Sequence, residues 1–165
     1  MAAPPEIDRT AGWPPREAAA WIGLRETYKR LVRALDAELE AGYGLTLSGL
    51  ELLARLDAVP RARMRLTALA LDAGLSLSRV SRIAVALAQR GLIEREPCPD
   101  DARAVEAQLT PAGRELLRDA QRSHQALVRR MFFDLLDDAE LDVLAAVFER
   151  MSPRAAARCT PNPSP

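Results

Sequence analysis

At 165 residues the chain has room for one domain with a helical extension, and its 48% apolar content supports a core built mostly from Leu, Ala and Val, since only 4% is aromatic. No apolar run approaches the roughly 20 residues needed to cross a bilayer, and the opening MAAPPEIDRTAGWPP lacks the apolar centre of a secretory signal, so a cytoplasmic setting is expected. Cys98 and Cys159 lie far apart without metal-ligand spacing, which argues against a disulfide scaffold or a zinc site; with a net charge of zero, any attraction for a polyanion must come from local clustering.

Residues 1–15 are rich in Pro, Ala and Gly and read as a disordered arm. From Arg16 to Ala41, Trp21, Leu24, Tyr28, Leu31, Val32, Leu35 and Leu39 recur at three- and four-residue steps, the stripe of one long helix. Gly42 and Gly44 are expected to stop it. Thr46 is placed to cap a second helix through about Asp57, burying Leu47, Leu50, Leu53 and Leu56. Arg63 to Leu66 form a short extended strand, and Thr67 caps a short helix, Ala68 to Ala73. Gly74 permits the turn that follows, and Ser76 caps a helix to Arg90 with Val80, Ile83, Ala84 and Leu87 inward.

Gly91 ends that helix, Leu92-Ile93 start a strand, and a tip rich in Pro and Asp turns the chain back into a second strand. Thr110 then caps a long helix with Pro111 in its first position, where the missing amide proton costs nothing. That helix is expected to reach about Leu136, with Leu116, Leu117, Ala120, Leu127, Val128, Met131 and Leu135 as its stripe. Asp137-Asp138 open a last helix, Ala139 to Arg150, and residues 152–165 read as a disordered tail.

Two short helices joined by a Gly-containing turn, the second lined with small polar and basic residues, make a helix-turn-helix signature. Beyond the cap residue Ser76, the second helix exposes Ser78, Arg79, Ser81 and Arg82 in its N-terminal half. Arginine can donate two bonds to guanine, and serine hydroxyls serve bases or phosphates; a merely solvated helix face is the alternative. Residues 61 to 95 hold Arg61, Arg63, Arg65, Arg79, Arg82, Arg90 and Arg95 against only Asp72 and Glu94, a local basic face suited to phosphate. On the hairpin, Arg95 lies on the first strand as a phosphate candidate and Arg103 just beyond the tip. An arginine on a narrow β-tip can enter a minor groove, with Asp101 holding its guanidinium; an ordinary surface ion pair is the alternative. Cys98, between Pro97 and Pro99, is expected to be exposed there. The fold class is mainly α with a small β-hairpin wing.

The stretch from Leu66 to Gly113 resembles the MarR family of bacterial transcription regulators. The resemblance rests on Leu75-Ser76, Ser78, Val80-Ser81-Arg82, Gly91-Leu92-Ile93, Arg95, Asp101-Ala102-Arg103 and Leu109-Thr110-Pro111-Ala112-Gly113, and the flanking helices extend it to roughly Glu17–Met151. It implies a winged helix-turn-helix over 46–110, flanked by dimerisation helices at 16–45 and 111–151. It further implies a homodimer, acting as a repressor on double-stranded DNA, with palindromic half-sites about one turn, roughly 10 bp, apart. Arg103 would then be the minor-groove arginine, Asp101 its holder, and Ser78, Arg79, Ser81 and Arg82 the reading contacts. Leu77 and Arg79 depart from the usual pattern, so the base preference of relatives does not carry over.

Many members of that family release DNA when a small aromatic acid or phenol binds. Trp21, Arg25, Tyr28, Tyr43 and His124 are the candidate lining for such an effector, with core or dimer contacts the alternative for Trp21 and Tyr28 and solvation for His124. Other members sense oxidants through a cysteine near the first helix, a position where this chain has none. Cysteine-based sensing through Cys98, opposed by Glu96, Asp100 and Asp101, and a winged-helix protein-interaction module are the alternative functions. One histidine, no glycine-rich phosphate loop and no metal cluster leave no basis for expecting an enzyme, a cofactor or a metal.

Overall fold

The computed structural model describes residues 12–98 and 101–151, the side chains of 101–103 excepted. The expected arm (apart from residues 12–15) and the tail therefore lie outside the described residues. In chain order the elements are α1 (Pro15–Tyr43), α2 (Leu47–Asp57), a 3-10 turn (Pro60–Ala62), β1 (Arg63–Arg65), α3 (Leu66–Ala73), α4 (Leu77–Gln89), β2 (Ile93–Cys98), β3 (Asp101–Leu109), α5 (Pro111–Met131), a second 3-10 turn (Phe133–Leu135) and α6 (Asp138–Met151). The strands form one antiparallel sheet in the order β1-β3-β2. The chain divides into two compact units, Met1–His124 and Gln125–Pro165.

In the first unit, α1 starts on Pro15 and ends where Gly44 takes a left-handed conformation, with φ 59°. Gly42 stays helical, so Gly44 alone is the stop. The apolar stripe of α1 splits in two: Leu35 and Leu39 are buried, whereas Trp21, Leu24 and Tyr28 are exposed. Trp13 and Trp21 rest against each other with ring centroids 6.4 Å apart.

The N-terminus of α2 is capped twice. Thr46 Oγ1 accepts from the Gly49 amide at 3.1 Å, and Asp36 of α1 accepts from the Leu47 amide at 2.7 Å. Leu50, Leu53 and Leu56 are buried as the periodicity predicts, but so is Leu52, at 1% exposure, while Leu47 is only half-buried. A helix packed between α1 on one side and α3, α4 and the sheet on the other needs more than one apolar stripe.

β1 covers Arg63–Arg65, and α3 begins at once with Leu66, using Arg65 as cap and no side-chain bond. Thr67 therefore sits inside the helix rather than capping it. The chain must turn directly out of the β1–β3 ladder to bury Leu66, and that brings the helix start forward. The α4 cap is as the sequence predicts: Ser76 is extended and its Oγ accepts from the Arg79 amide at 3.3 Å. Ser76→Ala is expected to lower unfolding free energy by about 1 kcal/mol, read as a lower urea midpoint at unchanged slope.

Side chains alternate across the sheet. Ile93, Ala107 and Leu109 are buried on the inner face against α2, α3 and α4. The outer face carries an ionic lattice. Arg63 donates to Glu96 at 2.6 Å and to Gln108 at 2.7 Å, and stands 3.6 Å from Glu106. Cys98 belongs to this lattice and is 4% exposed, contrary to the expected exposed tip. Its sulfur accepts from Arg65 at 3.1 Å and lies 3.6 Å from Glu106. A register shift at Pro97/Cys98 folds the thiol under its neighbours instead of onto the tip.

α5 starts as predicted, with Thr110 Oγ1 accepting from the Gly113 amide at 3.0 Å. It ends at Met131, short of Leu136. Phe132 leaves the helix with φ −133°, Phe132 and Phe133 meet edge to face at 5.3 Å, and Leu135 is 73% exposed instead of continuing the stripe. In the second unit, α6 begins one residue early on a reciprocal cap: the Glu140 amide donates to Asp137 and the Asp137 amide to Glu140. Leu141, Val143 and Phe148 on α6 are exposed.

Candidate nucleic-acid interface

α3 and α4 are joined by a turn in which Gly74 takes φ 65°, and α4 then packs on the core through Val80, Ala84 and Leu87. With that face fixed, Ser76, Ser78, Arg79 and Arg82 are exposed and Ser81 is half-buried. The Ser76 and Ser78 hydroxyls lie 3.2 Å apart, and Arg79 donates to Ser48 Oγ of α2 at 3.2 Å. The helix thus presents two hydroxyls and two guanidinium groups, and Leu77 and Val85 are the large apolar side chains exposed on it.

The other arginines of residues 61 to 95 are in different situations. Arg63 and Arg65 are taken up by the outer-face lattice. Arg90 donates to the backbone carbonyls of Tyr43 and Gly44. Arg95 pairs in register with Ala107, on the inner-face side of β2. It is half-buried, with its Nε enclosed and unbonded. Part of the arginine excess is structural, and a count of charges along the chain cannot separate the two uses. Asp101 and Arg103 fall on the backbone of β3; their side chains, and Asp100, lie outside the described residues.

Beside α4 runs a groove of about 530 Å³. It is lined by Gly44, Thr46 and Gly49 of the α1–α2 corner, by Arg79, Arg82 and Arg90, and by the apolar Ile83 and Leu87. Sequence reasoning missed this groove and the part played by Ser48, because both depend on residues 44–49 meeting residues 79–90 in space.

Of the residues expected to line an effector pocket, Trp21, Arg25 and Tyr28 follow one another at four- and three-residue steps on one face of α1, and Tyr43 lies at the far end of that helix. Trp21 and Tyr28 are exposed on the outer half of α1, and Tyr28 and Tyr43 are about 22 Å apart along that helix at its usual rise. The Tyr43 hydroxyl donates to the Asp119 carbonyl at 3.2 Å. Arg25 pairs with Glu26 at 3.3 Å, a carboxylate that Lys29, bonded to it at 3.0 Å, holds below its ordinary pKa range. His124 is half-buried on α5. Among the described residues, no group of three or more His, Cys, Asp or Glu could hold a metal ion, and no helix is long and apolar enough to cross a membrane.

The MarR family model matches residues 45–105, from the start of α2 into β3. Among solved structures, a MarR family transcriptional regulator from Streptomyces coelicolor in complex with DNA is 32% identical with a TM-score of 0.77, over 84% of this chain and 88% of that one. AbsC, another MarR family regulator from Streptomyces coelicolor, is 31% identical with a TM-score of 0.77, over 87% of this chain and 97% of that one. The fold is shared at 21% identity and TM-score 0.69 by BpsR of Bordetella bronchiseptica, over 92% of this chain and 99% of that one; the DNA binding of BpsR is regulated by 6-hydroxynicotinic acid. No curated protein matches the chain. Identity above 30% across nearly the whole of two such regulators, on the same winged-helix frame, places this chain in the MarR family of DNA-binding transcriptional regulators.

Proposed function

We propose that the protein is a homodimeric repressor, acting in the cytoplasm, that reads a palindromic operator with α4 and leaves it when a small aromatic acid or phenol binds. The observation that carries this reading is the exposed set Ser76, Ser78, Arg79 and Arg82, with Ser81 at its edge, held over buried Val80, Ala84 and Leu87. Such a helix fits the major groove, with half-sites about one turn apart in a two-fold dimer. Arg95 serves a phosphate, and Arg103, held by Asp101, enters the minor groove. The dimer is supported by apolar side chains left in water: Trp21, Ile22, Leu24 and Tyr28 on α1, and Val143 and Phe148 on α6. Exposed apolar surface of this extent is usually covered by a partner.

For the effector, the groove beside α4 is a better host than the residues along α1. Its apolar lining suits an aromatic ring and its arginines suit a carboxylate, and a ligand there would occupy Arg79 and Arg82 at the expense of DNA.

Titration of a duplex from the protein's own promoter tests the reading, since affinity should fall steeply as salt rises. Absence of any salt-dependent duplex binding would favour a protein-interaction module instead. Arg103→Ala should lose about 1–3 kcal/mol of operator binding; unchanged affinity would remove Arg103 from the minor groove. The redox alternative is disfavoured by the burial of Cys98 between Arg65 and Glu106.

A further inference from the structure

The last turn of α1 has no basic residue of its own, although a helix C-terminus leaves carbonyls without partners and concentrates negative potential there. The Gly44 and Leu45 amides return to the Glu40 and Leu39 carbonyls and settle two of these. The carbonyls of Tyr43 and Gly44 are taken by Arg90: its Nη2 donates to Tyr43 at 2.6 Å and its Nη1 to Gly44. The guanidinium lies against Gly44 so closely that a Cβ built there would stand 3.4–3.5 Å from three of its atoms.

Arg90 is the residue directly after α4. One side chain therefore ties the end of the reading helix to the end of α1, whose outer half carries the unpartnered apolar residues. Other bonds hold the same corner: the Leu47 amide to Asp36 and the Tyr43 hydroxyl to the Asp119 carbonyl do not reach α4, and Arg79 of α4 donates to Ser48 of α2 rather than to α1.

We infer that Arg90 is a positioning residue for operator recognition: its paired bonds fix the angle between α1 and α4, and thereby the separation of the two reading helices in the dimer. This rests on the dimeric DNA-binding reading above. In a dimer built on α1, α4 is carried at the α1–α2 corner. With 13 residues, α4 is about 20 Å long, so a tilt of a few degrees shifts its far end by an ångström or more. Hydrogen bonds to base edges do not survive such a shift. A planar fork with two donors resists that tilt, whereas a lysine ammonium has no fixed fork to do so. Two of the five N–H donors of Arg90 are spent on carbonyls, and its assigned role is positioning, with no phosphate contact of its own.

The test uses a duplex selected by the full-length protein from a random-sequence pool, and two derivatives whose centres are one base pair longer or shorter. Wild type should bind the selected duplex and reject both derivatives. Arg90→Met should lose about tenfold on the selected duplex, the scale of a broken charge-assisted pair, and lose little on the derivatives, so that the spacing preference flattens while the salt slope is unchanged. Arg90→Lys should fall between the two, and it carries the same comparison if Arg90→Met does not fold. Full retention of the spacing preference, at whatever melting temperature, would overturn the inference and make Arg90 a helix cap only. A salt slope reduced by about one phosphate would overturn it too, by showing direct contact with DNA. Failure of the wild-type protein to bind any duplex would overturn the DNA-binding reading itself and this inference with it.

Discussion

Gly113→Ala is expected to destabilise the protein by about 3 kcal/mol or more, because Gly113 has the tightest surroundings of any glycine in the chain. A Cβ built at Gly113 would stand 2.0 Å from the Leu92 carbonyl oxygen and 2.8 Å from Leu109 Cδ1. The first of these is backbone and cannot rotate away. That carbonyl also accepts from the Thr110 amide at 3.1 Å and lies 3.0 Å from the Thr110 hydroxyl, so it is the pin joining the start of β2 to the start of α5. Making room means pulling α5 off the hairpin, breaking the Thr110 bonds and opening the Ile93–Leu109 end of the ladder. Gly23→Ala gives the contrast: nothing lies within 4 Å of its Cβ, and in an exposed helix interior alanine should stabilise by up to about 1 kcal/mol. Urea unfolding of the two variants measures both. A Gly113→Ala protein within about 1 kcal/mol of wild type would show that the junction yields without cost.

Gly113 also marks how far the sequence could be read. As the end of the Leu-Thr-Pro-x-Gly run it pointed to a family, but the reason for glycine there is a backbone approach to Leu92, on the far side of the hairpin, and no local pattern contains it. Features that depend on neighbours in sequence were legible: the Thr46, Ser76 and Thr110 caps and the left-handed Gly74 all follow from residue type and position. The exit of Phe132 from α5 was not, because no Gly or Pro announces it and the apolar spacing runs on to Leu135. Cys98 looked exposed between two prolines until β1 and β3 supplied Arg65 and Glu106 to cover it. Arg90 looked like one more residue of the local basic face until the distant α1 terminus took two of its donors. In each case the deciding partner arrives from another part of the chain.

That sorting of arginines makes the second large prediction specific. Replacing Arg79 and Arg82 together with alanine should cut operator affinity by about a hundredfold or more, since each bond to a base or phosphate is worth roughly 1–3 kcal/mol. The rest of the protein is poorly placed to compensate. Its net charge is zero, and Arg63, Arg65 and Arg90 are engaged within the fold. Both side chains are exposed and the core side of α4 is untouched, so stability should change by no more than about 0.5 kcal/mol, which separates weakened binding from failed folding. Before Arg79 can read a base it must release Ser48, a bond at 3.2 Å on an exposed surface that costs little to give up. The single variants then tell the two roles apart. An arginine on a phosphate lowers the salt slope by about one when removed and weakens all sequences alike. An arginine on a base edge leaves the slope alone and relaxes the preference at one position. A double variant that binds the operator as tightly as wild type would mean that α4 is not the reading helix.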